Sequence, residues 1–178
     1  MPWPATILTF WFTTLSPKDW YAGGPTLDAR IRTEFGDVHR LVASTPDEDL
    51  LADADTALAA IIVLDQFSRN LGRKTAAAFA HDEKALRIAM SAIDKGYADG
   101  LSTERRNFMY MPFMHSESLD VHERGVALFA GTPSESFARD HHDIIAKFGR
   151  YPYRNPALGR ENTAAENDYL KTAETFGQ

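Results

Sequence analysis

The side chains best equipped for chemistry in this sequence are carboxylates, histidines and arginines that stand where apolar residues are expected. Counting about 100° per residue along a helix, Leu58, Ile61, Ile62, Asp65 and Arg69 fall on one side, so a carboxylate and a guanidinium continue an apolar stripe. An i,i+4 ion pair locking the helix to a neighbour would explain them. A pocket wall would explain them equally, since burying charge carries a cost that a functional site justifies. The same count gathers Phe137, His141, Ile144 and Phe148 and turns His142 elsewhere, so His141 is the histidine expected to be enclosed. It is either a satisfied core residue or an acid/base group.

His115 shares a face with Phe108 and Met111, and Met114-His115-Ser116-Glu117 follows Pro112, where a broken helix exposes backbone and side-chain groups to a cleft. A histidine with a nearby carboxylate suits general acid/base work, whereas His-x-Glu spacing does not put both on one helical face and makes a weak metal motif. Ser116 lacks the Gly-x-Ser-x-Gly elbow of a serine nucleophile, and no glycine-rich phosphate loop is present. Arg69, Arg73, Arg150, Arg154 and Arg160 sit at helix ends or in an irregular stretch. Two or three converging would form an anion site; alternatively, they bind helix C-terminal carbonyls and surface carboxylates.

The elements that must position these groups are helices throughout, with no strand alternation. Ile7, Leu8, Trp11 and Leu15 predict a helix ending before Pro17, with Asp19 to Gly24 as loop. Leu27, Ile31, Phe35, Val38 and Val42 predict a long amphipathic helix from about residue 25 to 43. The run from Asp49 to Arg69 is apolar nearly all round, as in a central helix. Thr75 precedes an alanine-rich helix stopped by Gly96; Ser102 or Thr103 opens one that Pro112 should kink or end; Ser118 caps another. Thr132-Pro133-Ser134-Glu135 predicts a capped start, and Gly149 the end of that helix. After two prolines and an extended path, Thr163 with Glu166 opens the last helix.

The chain of 178 residues predicts one compact domain over residues 1–178, with antiparallel helical hairpins stacked on one another. It has no cysteine, which excludes disulfides, thiolate metal sites and thiol nucleophiles. A net charge of -6 argues against a broad nucleic-acid surface. Neither a signal peptide nor a bilayer-length apolar run is evident, so a cytoplasmic protein is expected, without membrane association. No cofactor or oligomeric state is readable.

Three strings carry a resemblance: Leu64-Asp65-Gln66-Phe67-Ser68-Arg69-Asn70; Pro112-Phe113-Met114-His115-Ser116-Glu117; and Phe148-Gly149-Arg150-Tyr151-Pro152-Tyr153-Arg154-Asn155 with Leu158-Gly159-Arg160. With Phe10-Trp11-Phe12 and Thr163-x-x-Glu166, the chain resembles the domain-of-unknown-function family numbered 924 over almost its whole length. The resemblance implies a tetratricopeptide-like right-handed array of helices and no known activity. Ser68 stands where the family pattern has proline, and Tyr153 where histidine is common.

Two functions follow as expectations. The first is a pocket for a small anionic ligand, with hydrolase-like or lyase-like chemistry. His115, Glu117 and His141 would be its acid/base groups, and Asp65, Arg69, Asn70, Arg150, Arg154, Asn155 and Arg160 its ligand-binding residues. The second is a non-catalytic tetratricopeptide-like scaffold for a peptide or protein partner.

Overall fold

The computed structural model describes residues 2–173. Helix α1, Trp3–Thr9, has prolines at its start and widens into a π-helical turn, Phe10–Thr14. Asp19 to Gly24 is not the expected loop: Pro17–Ala22 forms helix α2, because Asp19 Oδ2 accepts from the Ser16 amide and hydroxyl at 2.8 and 2.6 Å. The box uses aspartate where the usual signature has Glu or Gln. Helix α3, Pro25–Ser44, buries Ile31, Phe35 and Val42 together with Asp28.

The short α4, Asp47–Leu50, leads to α5, Ala54–Ile61, whose first turn is capped by Asp53. The helix continues through a π-helical stretch, Ile62–Phe67, into α6, Ser68–Leu71, so one rod runs through the middle of the fold. Residues 57–65 along it are all buried. This is the central element that the all-round apolar pattern predicts. The alanine-rich segment divides into a 3-10 turn, Ala76–Phe79, and helix α7, Asp82–Asp94.

Helix α8, Thr103–His115, continues past Pro112 for three residues, so the proline does not impose the stop that is one of the two expected outcomes. The proline removes only the donor to the Phe108 carbonyl. The ring is buried in the apolar interior, and side chains from elsewhere bind the last carbonyls. Helix α9 spans Leu119–Phe129. Helix α10, Glu135–Phe148, starts later than predicted, since Ser134 is its N-cap and Glu135 instead accepts from the Gly131 amide at 2.7 Å. It ends at Gly149 in the left-handed conformation. The chain then forms a 3-10 turn, Pro152–Arg154, helix α11, Asn155–Leu158, and helix α12, Ala164–Leu170, opened by the Thr163–Glu166 capping box.

All regular structure among the described residues is helical. The rod through α5 contacts α1, α7 and α8, while α3 packs along its π-helical stretch and α6. Helices α7, α8, α9 and α10 each pack on the next. Trp11, Phe67 and Phe108 meet ring to ring at the centre. The chain is a single compact domain, and none of its described helices is long and apolar enough to cross a membrane.

Candidate functional site

The π-helical stretch carries Asp65 into the interior, where its side chain is 0% exposed. Three donors hold the carboxylate. His115 Nδ1 lies 2.6 Å from Oδ1, Arg69 Nη1 is 3.1 Å from the same oxygen, and Gln66 Nε2 donates to Oδ2 at 2.6 Å. Burial pushes the Asp65 carboxyl up, but the Arg69 charge and the hydrogen bonds from His115 and Gln66 outweigh it and hold the group well below the usual carboxylate range.

An ionised carboxylate only accepts, so His115 Nδ1 carries the proton and Nε2 keeps a lone pair. Among the described residues Nε2 has no hydrogen-bond partner, and the ring is on the wall of a cleft of about 660 Å³. Burial and the Arg69 charge lower the His115 pKa more than Asp65 raises it. The imidazole is therefore neutral at neutral pH, as a proton acceptor must be.

Arg69 is held on two sides. Its Nη1 donates to the Asp65 carbonyl at 2.7 Å, and both terminal nitrogens fork onto Asp82 at 2.9 and 3.0 Å. Asp82 also takes Arg154 Nη1 at 3.3 Å, and that nitrogen reaches the His115 carbonyl at 3.0 Å. The Arg154 guanidinium is packed against Phe79 and Tyr151, each ring centre 4.5 Å away. Arg154 is thus a positioning residue: it fixes the backbone that presents His115.

The polar lining of the cleft includes Gln66, Arg69, Asn70, Arg73, His115 and His141 on one hand and Thr103, Glu104, Asn107 and Ser134 on the other, while Trp20, Tyr21, Met111, Met114 and Phe137 supply apolar surface. His141 Nδ1 is 2.7 Å from the Phe137 carbonyl one turn back, and its ring meets Tyr151 edge-on at 5.7 Å. Burial pushes its pKa down to about 3. His115 and His141 therefore face one cavity from α8 and α10. Phe137, expected beside His141 in the core, is half exposed at 51%. Asn70 and Arg73 converge on Asp28, with Nδ2 of Asn70 2.7 Å from Oδ1 and Arg73 Nε 2.7 Å from Oδ2.

Six of the expected site residues do not line this cleft: Asp65, which is buried behind His115 and Arg69, and five that belong to the C-terminal segment or its contacts. Glu117 receives a fork from Arg160 at 2.7 and 2.9 Å and the Tyr151 amide at 2.8 Å. Asn155 accepts from Arg160 Nε at 2.8 Å and donates to Asn162 at 2.7 Å. Arg150 forks onto Glu166 at 2.6 and 2.8 Å. Arg154 is beneath His115. These groups clasp the C-terminal segment to α8, whose last carbonyls they help satisfy: Tyr151 Oη donates to Met114, Arg154 to His115, and His122 Nε2 lies 2.8 Å from Ser116. The carboxylate near His115 is therefore Asp65 from another helix. Glu117 faces away because two residues along a helix end do not share a face.

Gln66, Asp82 and the aromatics of α2 are the parts missed by sequence reasoning. Asp82 reads as an ordinary acid in the first turn of α7, a position favourable for any carboxylate. Arg73 is visible as one of five arginines, without a sign of which others it meets. Among the described residues no three His, Asp or Glu side chains are grouped as metal ligands.

The fold and the cleft define an all-helical protein with a buried Asp–His–Arg cluster on the wall of one cavity. Residues 7–174 match the family described as bacterial protein of unknown function (DUF924), and the chain belongs to that family. It is also similar to the solved structure of a protein of unknown function, ATU0120, from Agrobacterium tumefaciens. The two are 35% identical, with 94% of this chain and 96% of that chain covered and a TM-score of 0.89. No curated protein matches the chain.

Proposed function

We propose that the cleft binds a small anionic molecule and that His115 acts on it as a general base, in a hydrolase-like or lyase-like reaction. The observation that carries this reading is the 2.6 Å contact between His115 Nδ1 and the buried Asp65 carboxylate, with His115 among the residues that line the cleft. In the hydrolytic case, a cleft water adds its oxygen to an electrophilic carbon while its proton passes to His115 Nε2. The leaving group takes that proton back as its bond to carbon breaks. Asp65 does not take up the proton; it orients the ring and stabilises the imidazolium that forms. In an elimination, the same nitrogen would remove a C–H proton.

Arg69 and Arg73 on the same wall supply positive field for an anionic group, and His141 offers a second neutral ring. Asn70 and Gln66 contribute amide groups. The medium is the cytoplasm. The test is a screen of small carboxylate- and phosphate-bearing esters with the intact protein, followed by His115→Gln. Turnover that disappears in the variant, with affinity largely kept, supports the reading. Unchanged turnover, or none with any ester or elimination substrate, rejects it.

A second reading is favoured by the exposed aromatics at the cleft, Tyr21 at 59% and Phe137 at 51%. Together with the tetratricopeptide-like stacking implied by the family resemblance, they suit a scaffold that seats a peptide. Peptide capture lost in Phe137→Ser but kept in His115→Gln would select it.

A further inference from the structure

Behind Arg69 and Arg73 is a second, smaller chamber of about 210 Å³, lined by these two arginines, Lys74, Phe79, Tyr153 and Pro156 among others. We propose that this chamber is a subsite for a phosphoryl group or a like tetrahedral oxyanion. The proposal rests on the preceding reading for the idea that the region takes small anions, and it names the anion and where it sits.

Three cations line the chamber and no carboxylate does. Their counter-ions stand behind the wall: Asp28 pairs with Arg73, and Asp65 and Asp82 pair with Arg69. Arg32, which donates to the Leu71 carbonyl at 3.1 Å, and the buried Arg154 add further positive charge to the same region. Five cations against three carboxylates leave a positive excess here, on a chain whose net charge is -6. A dianion gains more from such an excess than a monoanion does.

The geometry also favours phosphate over carboxylate. A planar carboxylate is best recognised by an open guanidinium fork. Both forks here already face carboxylates, Arg69 on Asp82 and Arg73 on Asp28. Lys74 adds a point charge with three donors, suited to an ion whose oxygens point in several directions. Among the described residues Lys74 has no ion-pair partner, and its side chain is exposed.

The loop holds Lys74 in place. It has φ of 64°, and no other non-glycine residue described has a positive φ. Such a conformation persists only when the surroundings over-determine it. Here Thr75 bonds back to the Gly72 carbonyl through amide and hydroxyl at 2.9 and 2.7 Å. Gly72 itself is pressed so closely on Ala77 and Ala78 that a Cβ would lie 2.4 Å from the Ala78 amide nitrogen. At about 30 Å³ per water the chamber holds several waters' volume, enough for a phosphoryl group with part of an organic body against Phe79 and Pro156.

Calorimetric titration of the full chain with inorganic phosphate, phenyl phosphate and benzoate tests this. Phosphate should bind with one-to-one stoichiometry and weaken with salt. Lys74→Asn keeps a residue tolerant of positive φ while removing the charge, and it should weaken phosphate binding about three- to tenfold, the loss of one partly screened ion pair. Ala157→Glu, placing a carboxylate on the chamber wall, should abolish it. Tighter phenyl phosphate than inorganic phosphate marks an ester as the occupant, and equal affinity marks the free ion; either supports the subsite. No phosphate binding, benzoate binding as tight as phosphate, or binding indifferent to both variants overturns it. His115→Gln should leave phosphate affinity unchanged, so failure of the general-base reading and failure of the subsite are told apart.

Discussion

Asp65 and His115 are separated by 50 positions in the chain and joined by a 2.6 Å hydrogen bond between Oδ1 and Nδ1. The bond links the central rod to the C-terminal end of α8, and Arg69 holds its acidic member ionised. Removing the carboxylate therefore disturbs a helix junction as well as a candidate base. Asp65→Ala should destabilise the fold by about 3–5 kcal/mol, because buried donors of Arg69 and His115 lose their acceptor. Denaturant unfolding measures this; a loss below about 1 kcal/mol, the value of an exposed pair, would contradict it.

Acid should destabilise the protein in two stages with the same sign. Burial lowers the pKa of His39 and His122 to about 4 and of His141 to about 3, so below the ordinary histidine value of 6.5 the unfolded chain binds more protons than the folded one. Stability falls as pH drops from about 6.5 towards these values. Asp28, Asp65 and Glu117 are also lowered, so their contribution is present above the unfolded carboxylate range and is lost below it. Unfolding free energy followed from neutral to acid pH should decline throughout. His141→Gln should flatten the upper part of the curve, and a slope there identical to the wild type would refute the assignment.

The clasp around Glu117 predicts a local effect. Glu117→Ala removes the acceptor of the Tyr151 amide and the partner of the Arg160 fork. Hydrogen exchange should accelerate across residues 150–160, corresponding to about 1–3 kcal/mol of lost protection, while α7 stays protected. Uniform acceleration over all helices would mean that the segment is not a separate clasp.

Tyr151→Phe isolates one cap. The hydroxyl donates to the Met114 carbonyl at the end of α8 and the ring is wholly buried, so the variant should cost about 1–2 kcal/mol without changing the cleft's aromatic packing. A thermal melt indistinguishable from wild type would show that water replaces the hydroxyl.

Gly72→Ala should lower stability by about 1–3 kcal/mol through overpacking, since the new methyl would meet backbone atoms of Ala78 and Ala77 at 2.4 and 2.7 Å respectively. Phosphate binding should weaken with it, because the same turn presents Lys74. Full affinity in a folded Gly72→Ala protein would separate the turn from the chamber.

Features set by neighbours in the chain were legible in the sequence. The Thr163–Glu166 box, the Gly149 stop and the burial of Asp65 and His141 follow from residue type and a 3.6-residue period, which fix where a helix ends and which face turns inward. The same local rules did not fix the outcome where distant groups contribute. Pro112 stays inside a helix whose last carbonyls are satisfied partly by Tyr151 and Arg154 from the C-terminal segment. Partnership was decided by tertiary structure alone. A helical face says that a charge points inward, but the path of the other helices determines that His115 meets Asp65, that Glu117 meets Arg160, and that Asp82 joins two arginines. Such pairings depend on positions far apart in sequence, and the period of a single helix contains no term for them.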